Sequence, residues 1–236
     1  WRAMRRGEWT LKGHGPRDDT RSRGIVPPGV RALFRHAWPY GVAAVLYPVF
    51  FQIGTVLLKY LSGDAEAGVF GIALAVMTAI YLFPTTVYQK FLLARLHRWA
   101  VHDRARFRQV YRLGWIGMLL SGLAVGGMLA LLAGHAVRLF GHQYNGITLL
   151  LTWLALCVPI RFLSTAVGSV LLTEGQMLYR VGAMLAAAAA AVVLNLALIP
   201  HYGALGAPFA TILAEALLLV AMYAGARRAP ALRGAP

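Results

Sequence analysis

Six apolar stretches divide this chain, and its cations gather on alternate sides of them. The stretches are residues 37–60, 67–88, 114–134, 147–172, 178–199 and 204–226. Each is long enough, at ~1.5 Å per helical residue, to cross a hydrocarbon core of about 30 Å. A soluble chain of 236 residues would not need six such runs. The expected fold is therefore all-α, a polytopic membrane protein built as a six-transmembrane-helix bundle.

If every stretch crosses, all but three of the 23 lysines and arginines fall on one side. They sit in the segment before residue 37, in the connection 89–113, at Arg180 and in the tail 227–236. The exceptions are Lys59 and Arg138 on the other side and Arg161 inside a stretch. Loops rich in Lys and Arg stay cytoplasmic, so both termini are expected in the cytoplasm. An even number of crossings demands the same.

A net charge of +15 would ordinarily point to nucleic acid. Here it is read as topological, facing an anionic inner leaflet where each basic residue is worth about 1 kcal/mol. No nucleic-acid partner is expected. Cys157 is the single cysteine and lies in an apolar run, so no disulfide framework exists. Residues 1–36 carry no apolar core of a cleavable leader and read as a basic cytoplasmic linker. Its glycines and prolines, with Trp1 in place of a start methionine, point to a longer parent protein.

The connection 89–113 mixes cations with Phe91, Leu92, Trp99 and Phe107. It is either an amphipathic helix in the headgroup region or a solvated extension of two spans. Gly122 and Gly126 form a GxxxG pair, read as close helix packing. Pro48 and Pro159 fall inside stretches and are expected to kink them.

Arg161 lies near the middle of the fourth stretch, where an arginine costs about 2.5–3.5 kcal/mol on insertion scales. It needs an acidic partner or a polar cavity. Glu215, the one acid inside any apolar stretch, lies at a depth within some 4–5 Å of it at ~1.5 Å per residue. Two readings stay open: Arg161 lines a cavity that attracts an anionic headgroup, or it makes a structural pair with Glu215. Gln52, also near mid-depth, either bonds between helices or lines the same cavity. Asn195 is expected to hold its own turn. His135 and His142 make a poor metal site without a third ligand. No GxxxxGK[ST] loop, HExxH or CxxC motif occurs, so neither an enzyme nor a cofactor or metal is indicated.

The segment Leu194-Asn195-Leu-Ala-Leu198-Ile199-Pro200-His-Tyr202-Gly203-Ala-Leu-Gly206-Ala207-Pro-Phe-Ala-Thr211 resembles the "LN..LIP.yG..GAa.AT" signature of polysaccharide-biosynthesis flippases. These belong to the multidrug/oligosaccharidyl-lipid/polysaccharide exporter superfamily. In physical terms, Pro200 is expected to stop one helix, Gly203 and Gly206 to permit a tight turn, and Ala207 to admit close packing. Shorter matches occur in the same order. Gly63-Asp64-Ala-Glu66-Ala-Gly68-Val-Phe70-Gly-Ile-Ala73 is similar to "g..e.G.Y..A". Leu139-Phe140-Gly141-His-Gln-Tyr144 is similar to "lfG..Y", and Leu171-Leu172-Thr-Glu-Gly175 to "L.a.G".

The family has two six-helix lobes around a central cavity, and this chain resembles the C-terminal lobe only. The resemblance implies export of a polyprenyl-diphosphate-linked oligosaccharide across the bacterial inner membrane by alternating access. It implies as partners that glycan lipid, membrane lipids, and a missing N-terminal lobe or a second copy. Three alternatives compete. A drug/cation antiporter of the same superfamily suits Glu215 better than Arg161. A membrane-embedded glycan polymerase or glycosyltransferase calls for a sizeable outer loop, and the outer connections here are short. The last is a non-transporting scaffold for glycan assembly.

Overall fold

In lipid no water satisfies backbone polar groups, so an apolar span must close its hydrogen bonds within itself. The computed structural model describes residues 29–86, 104–135, 137–138, 141, 146–173 and 176–228, and among these there is no strand. The helices are α1 (Val30–Ser62), α2 (Asp64–Thr85), α3 (Arg104–Leu132), α4 (Ile147–Leu154), α5 (Cys157–Thr173), α6 (Met177–Tyr202) and α7 (Gly206–Ala226). The linker residues 1–28, the loop segment 87–103, His142 and Tyr144, Glu174 and Gly175, and the tail beyond 228 lie outside the described residues. Residues 104–113 continue α3 as regular helix.

Two compact units make up the chain, residues 1–38 and 39–236. The described part of the first is the opening of α1, with Val30, Leu33 and Phe34 exposed. The second holds everything discussed below.

Among the described residues five helical runs are long and apolar enough to cross a membrane: Ala37–Ser62, Asp64–Thr85, Gln109–His135, Ile147–Ser169 and Met177–Ala226. This is a multi-pass membrane protein. The fifth run, 50 residues long, is a hairpin. Tyr179 near its start donates its hydroxyl to Ala221 O near its end, at 2.8 Å. Its limbs α6 and α7 are the fifth and sixth expected spans.

The hairpin turn departs from expectation at Pro200. The helix does not stop there but runs to Tyr202. Proline withholds only the one hydrogen bond owed to the residue four back, which a last turn tolerates. Gly203 ends the helix instead, at φ 56°, while its N–H still bonds Ile199 O. A three-residue 3-10 turn, Gly203–Leu205, leads into α7.

Pro159 acts more strongly than a kink. The fourth span breaks between α4 and α5 at Ala155 and Leu156. With no N–H at residue 159, Ala155 O takes the shorter-range bond from Val158 N at 3.2 Å, and Leu156 N bonds Trp153 O at 3.1 Å. Across this break lies the GxxxG pair of α3. A Cβ on Gly122 would stand 2.8 Å from Pro159 Cα, and one on Gly126 2.8 Å from Ala155 O. Small residues thus let two backbones meet where lipid offers no hydrophobic drive between helices. Gly126→Leu is therefore expected to lower the melting temperature measured in detergent. The neighbouring Gly127→Leu, with nothing within 4 Å of its Cβ, should leave it nearly unchanged.

The core runs through Phe70, Met77, Leu154, Phe162 and Leu171, all fully or almost fully buried. Large apolar residues such as Leu120, Leu131, Val193 and Val220 stay exposed, as lipid-facing positions do. α1 reaches this core with large side chains: Phe50, Phe51 and Leu58 are buried, and the Phe51 ring meets Tyr81 edge-on at 5.7 Å. Asn195, 1% exposed, donates its amide to Ala191 O at 2.7 Å within its own helix.

Candidate functional site

Five residues on one face of α5 share a cavity wall: Arg161, Ser164, Thr165, Ser169 and Leu172. Their spacing of three or four keeps them on one stripe of a helix, and from first to last they climb about 16 Å. The cavity between this stripe and α1, α6 and α7 holds about 480 Å³. Tyr40 and Tyr47 of α1, Arg180 of α6 and Leu218 and Met222 of α7 complete it. It reaches from Arg161, in mid-span, to the end of the bundle where α5 gives way to α6.

Local physics explains why these polar groups fold into an apolar helix. Thr165 donates its hydroxyl to Arg161 O at 2.9 Å and Ser169 to Ala166 O at 2.6 Å. Hydroxyls returned to the helix's own carbonyls cost little in lipid. Ser164 differs: it is 3% exposed, and its Oγ has no hydrogen-bond partner among the described residues.

Arg161 is held from two sides. Its guanidinium carbon stands 3.9 Å from the centroid of the Tyr47 ring, a cation–π contact. Its Nη1 lies 3.6 Å from Glu215 Oε1. That is an ion-pair distance, too long for a hydrogen bond. Glu215 is completely buried and neither of its oxygens has a hydrogen-bond partner among the described residues, whereas Arg161 keeps 16% of its side chain accessible. Arg161 therefore does both things that the sequence left open: it pairs with Glu215 and lines a cavity. Glu215 stands behind the wall, not on it.

Arg180 is the residue that sequence reasoning missed. It was counted as one more loop cation, yet it lies in the opening turn of α6 and faces the cavity. Among the described residues its buried Nε has no hydrogen-bond partner and no acid pairs with it. Gly168 makes room for it: a Cβ there would lie 3.9 Å from Arg180 Cζ and 3.3 Å from Met222 Sδ. The signal available beforehand was the polar stripe 161–164–165–169, which points at the opening turn of the next helix.

Gln52 lies elsewhere. It is exposed on α1, outside the cavity, with the Thr55 hydroxyl of its own helix 3.5 Å from its Oε1. No group of three potential metal ligands occurs among the described residues.

At the opposite end, two distant motif segments meet. Gly203 of the hairpin turn approaches Glu66 of α2, whose Oε2 would be 3.9 Å from a Cβ there. A second cavity of about 590 Å³ lies beside them, between Val69, Leu149, Leu150 and Ala204.

Comparison of the chain with protein-family models, with curated proteins and with solved structures returns no match.

The cavity along α5 thus presents two guanidinium groups, hydroxyls between them, and an apolar wall on α7. Among the described residues no carboxylate lines it. Such a surface suits an anion that carries an apolar part.

Proposed function

We infer that this chain is a half of a transporter that moves an amphiphile with an anionic headgroup across the bacterial inner membrane. The observation that carries this reading is the pair Arg161 and Arg180 on one intramembrane cavity with no carboxylate among its described lining residues. Intramembrane arginines mark substrate pathways far more often than lipid-facing surface. By the positive-inside argument, the cavity's α5–α6 end faces the cytoplasm and both termini lie there. An anionic headgroup would enter from that side, meeting Arg180 first and Arg161 deeper in.

The motif resemblance narrows the amphiphile to a polyprenyl-diphosphate-linked oligosaccharide. The meeting of Glu66 and Gly203 supports it, because these positions belong to two different segments of the resembled pattern. In the family's alternating-access scheme this chain supplies the second lobe, and an N-terminal lobe or a second copy supplies the first. A drug/cation antiporter is disfavoured by the two arginines.

The test is direct. The chain in zwitterionic nanodiscs is titrated with polyprenyl diphosphate. Arg180→Ala is expected to weaken binding about tenfold or more, the usual worth of a charge-assisted contact. Arg138→Ala, an exposed cation at the other end, should leave it unchanged. Equal effects of the two variants would refute a specific site.

A further inference from the structure

Glu215 is unusually placed for a charged group. It is fully buried on α7, neither oxygen accepts a hydrogen bond, and its one charged neighbour among the described residues is Arg161 at 3.6 Å. The other titratable groups around the pair are Tyr47 of α1, Tyr81 of α2 and Cys157 of α5, all neutral at ordinary pH. Arg180 of α6 adds a second positive charge to the surroundings. The carboxylate's charge is thus balanced by an arginine that lines the cavity and keeps 16% of its side chain accessible.

That geometry sets up a competition. A guanidinium has five donors and binds a tetrahedral or planar anion best in a two-bond fork. At 3.6 Å, Glu215 does not occupy such a fork. An anion docking on Arg161 from the cavity takes over its charge. Glu215 is then left buried with an anion nearby and its own counter-charge shared. A buried carboxylate in that position neutralises itself by taking up a proton.

We propose that Glu215 is the proton acceptor that trades Arg161 with the cavity's anion, so that each anion bound brings about one proton onto the protein. One water-borne proton forms an O–H bond on a Glu215 oxygen, and no other covalent bond changes. When the anion leaves, Arg161 returns to Glu215 and the proton is released. Binding and protonation are then linked reciprocally. Proton uptake on binding means that affinity rises as pH falls, by up to about tenfold per pH unit where the exchange is complete. This proposal rests on the reading of the cavity as an anion site, and it names the ion that the anion's passage would carry.

Sulfate is the probe, because it keeps its charge across roughly pH 5 to 8, where a histidine would not. Calorimetry on the full chain in detergent, in buffers of different ionisation enthalpy, counts protons taken up per sulfate. The expected result is uptake approaching one proton and tighter binding at lower pH. Glu215→Gln, a neutral mimic of the protonated acid, should bind sulfate at every pH as the wild type does at low pH, with no proton uptake. Sulfate binding by the wild type without proton uptake overturns the proposal while leaving the anion site intact. So does a Glu215→Gln variant that keeps the wild-type pH profile. No sulfate binding, or binding untouched by Arg180→Ala, overturns the anion site and this proposal with it. Should Glu215→Gln fail to fold, the wild-type proton count decides alone.

Discussion

Arg161→Ala is expected to destabilise the bundle more than any other single change in the cavity. Removing one member of a buried pair leaves the other charge uncompensated, at about 3–5 kcal/mol. Among the described residues Glu215 has no second partner to fall back on, and Tyr47 loses the cation that rests on its ring. Arg161→Met combined with Glu215→Leu should recover most of the loss, because apolar replacement of both partners is often neutral or better. Cys157 makes the measurement simple. It is the chain's single cysteine and is fully buried, so labelling by a thiol-reactive dye during heating reports unfolding. The ordering expected is wild type and double variant close together, with Arg161→Ala well below. Equal melting of Arg161→Ala and wild type would show that the pair contributes nothing to stability.

Gly206→Leu is the second large effect. A Cβ at this position would stand 2.6 Å from Leu198 C and O and from Ile199 N. All three are backbone atoms of the opposing limb, so no side chain is free to move aside. Overpacking of this kind costs about 1–3 kcal/mol, and more where backbone must yield. Because the contact sits at the hairpin turn, α6 and α7 must splay. The variant should elute as an aggregate in size-exclusion chromatography, whereas Gly182→Leu, with nothing within 4 Å of its Cβ, should elute as the wild type does.

The spans could be read from the sequence because a membrane rewards only length and apolarity, and both are one-dimensional properties. The same holds for the match of Arg161 with Glu215, since depth along two helices follows from residue counts. What counting cannot supply is the azimuth of each helix. Gln52 and Tyr47 are five residues apart on α1, yet Tyr47 faces the cavity and Gln52 faces away. Which way α1 turns is decided by Phe50, Phe51 and Leu58 entering the core, a tertiary choice. Arg180 was hidden for a different reason. It lies where a span and a loop are indistinguishable by composition, and only the packing of α6 against Gly168 turns it inward. From sequence Pro200 is expected to stop a helix and Pro159 only to kink one, and the structure reverses the two. Position within the helix separated them: one lies in a last turn, the other in mid-span.

The interruption between α4 and α5 gives the two parts of the fourth span different attachments. Ile147–Leu154 is fastened to the end of α3, where the Thr148 hydroxyl bonds Ala133 O at 3.1 Å. Cys157–Thr173 carries the cavity face. Between them the ladder tightens: Ala155 N still bonds Leu151 O at 2.8 Å, but Leu156 N and Val158 N reach back only three residues, to Trp153 O and Ala155 O. The span is thus two rods laid end to end: one is tied to the end of α3, and the other lies wedged against α3 at Gly122 while it carries the cavity wall.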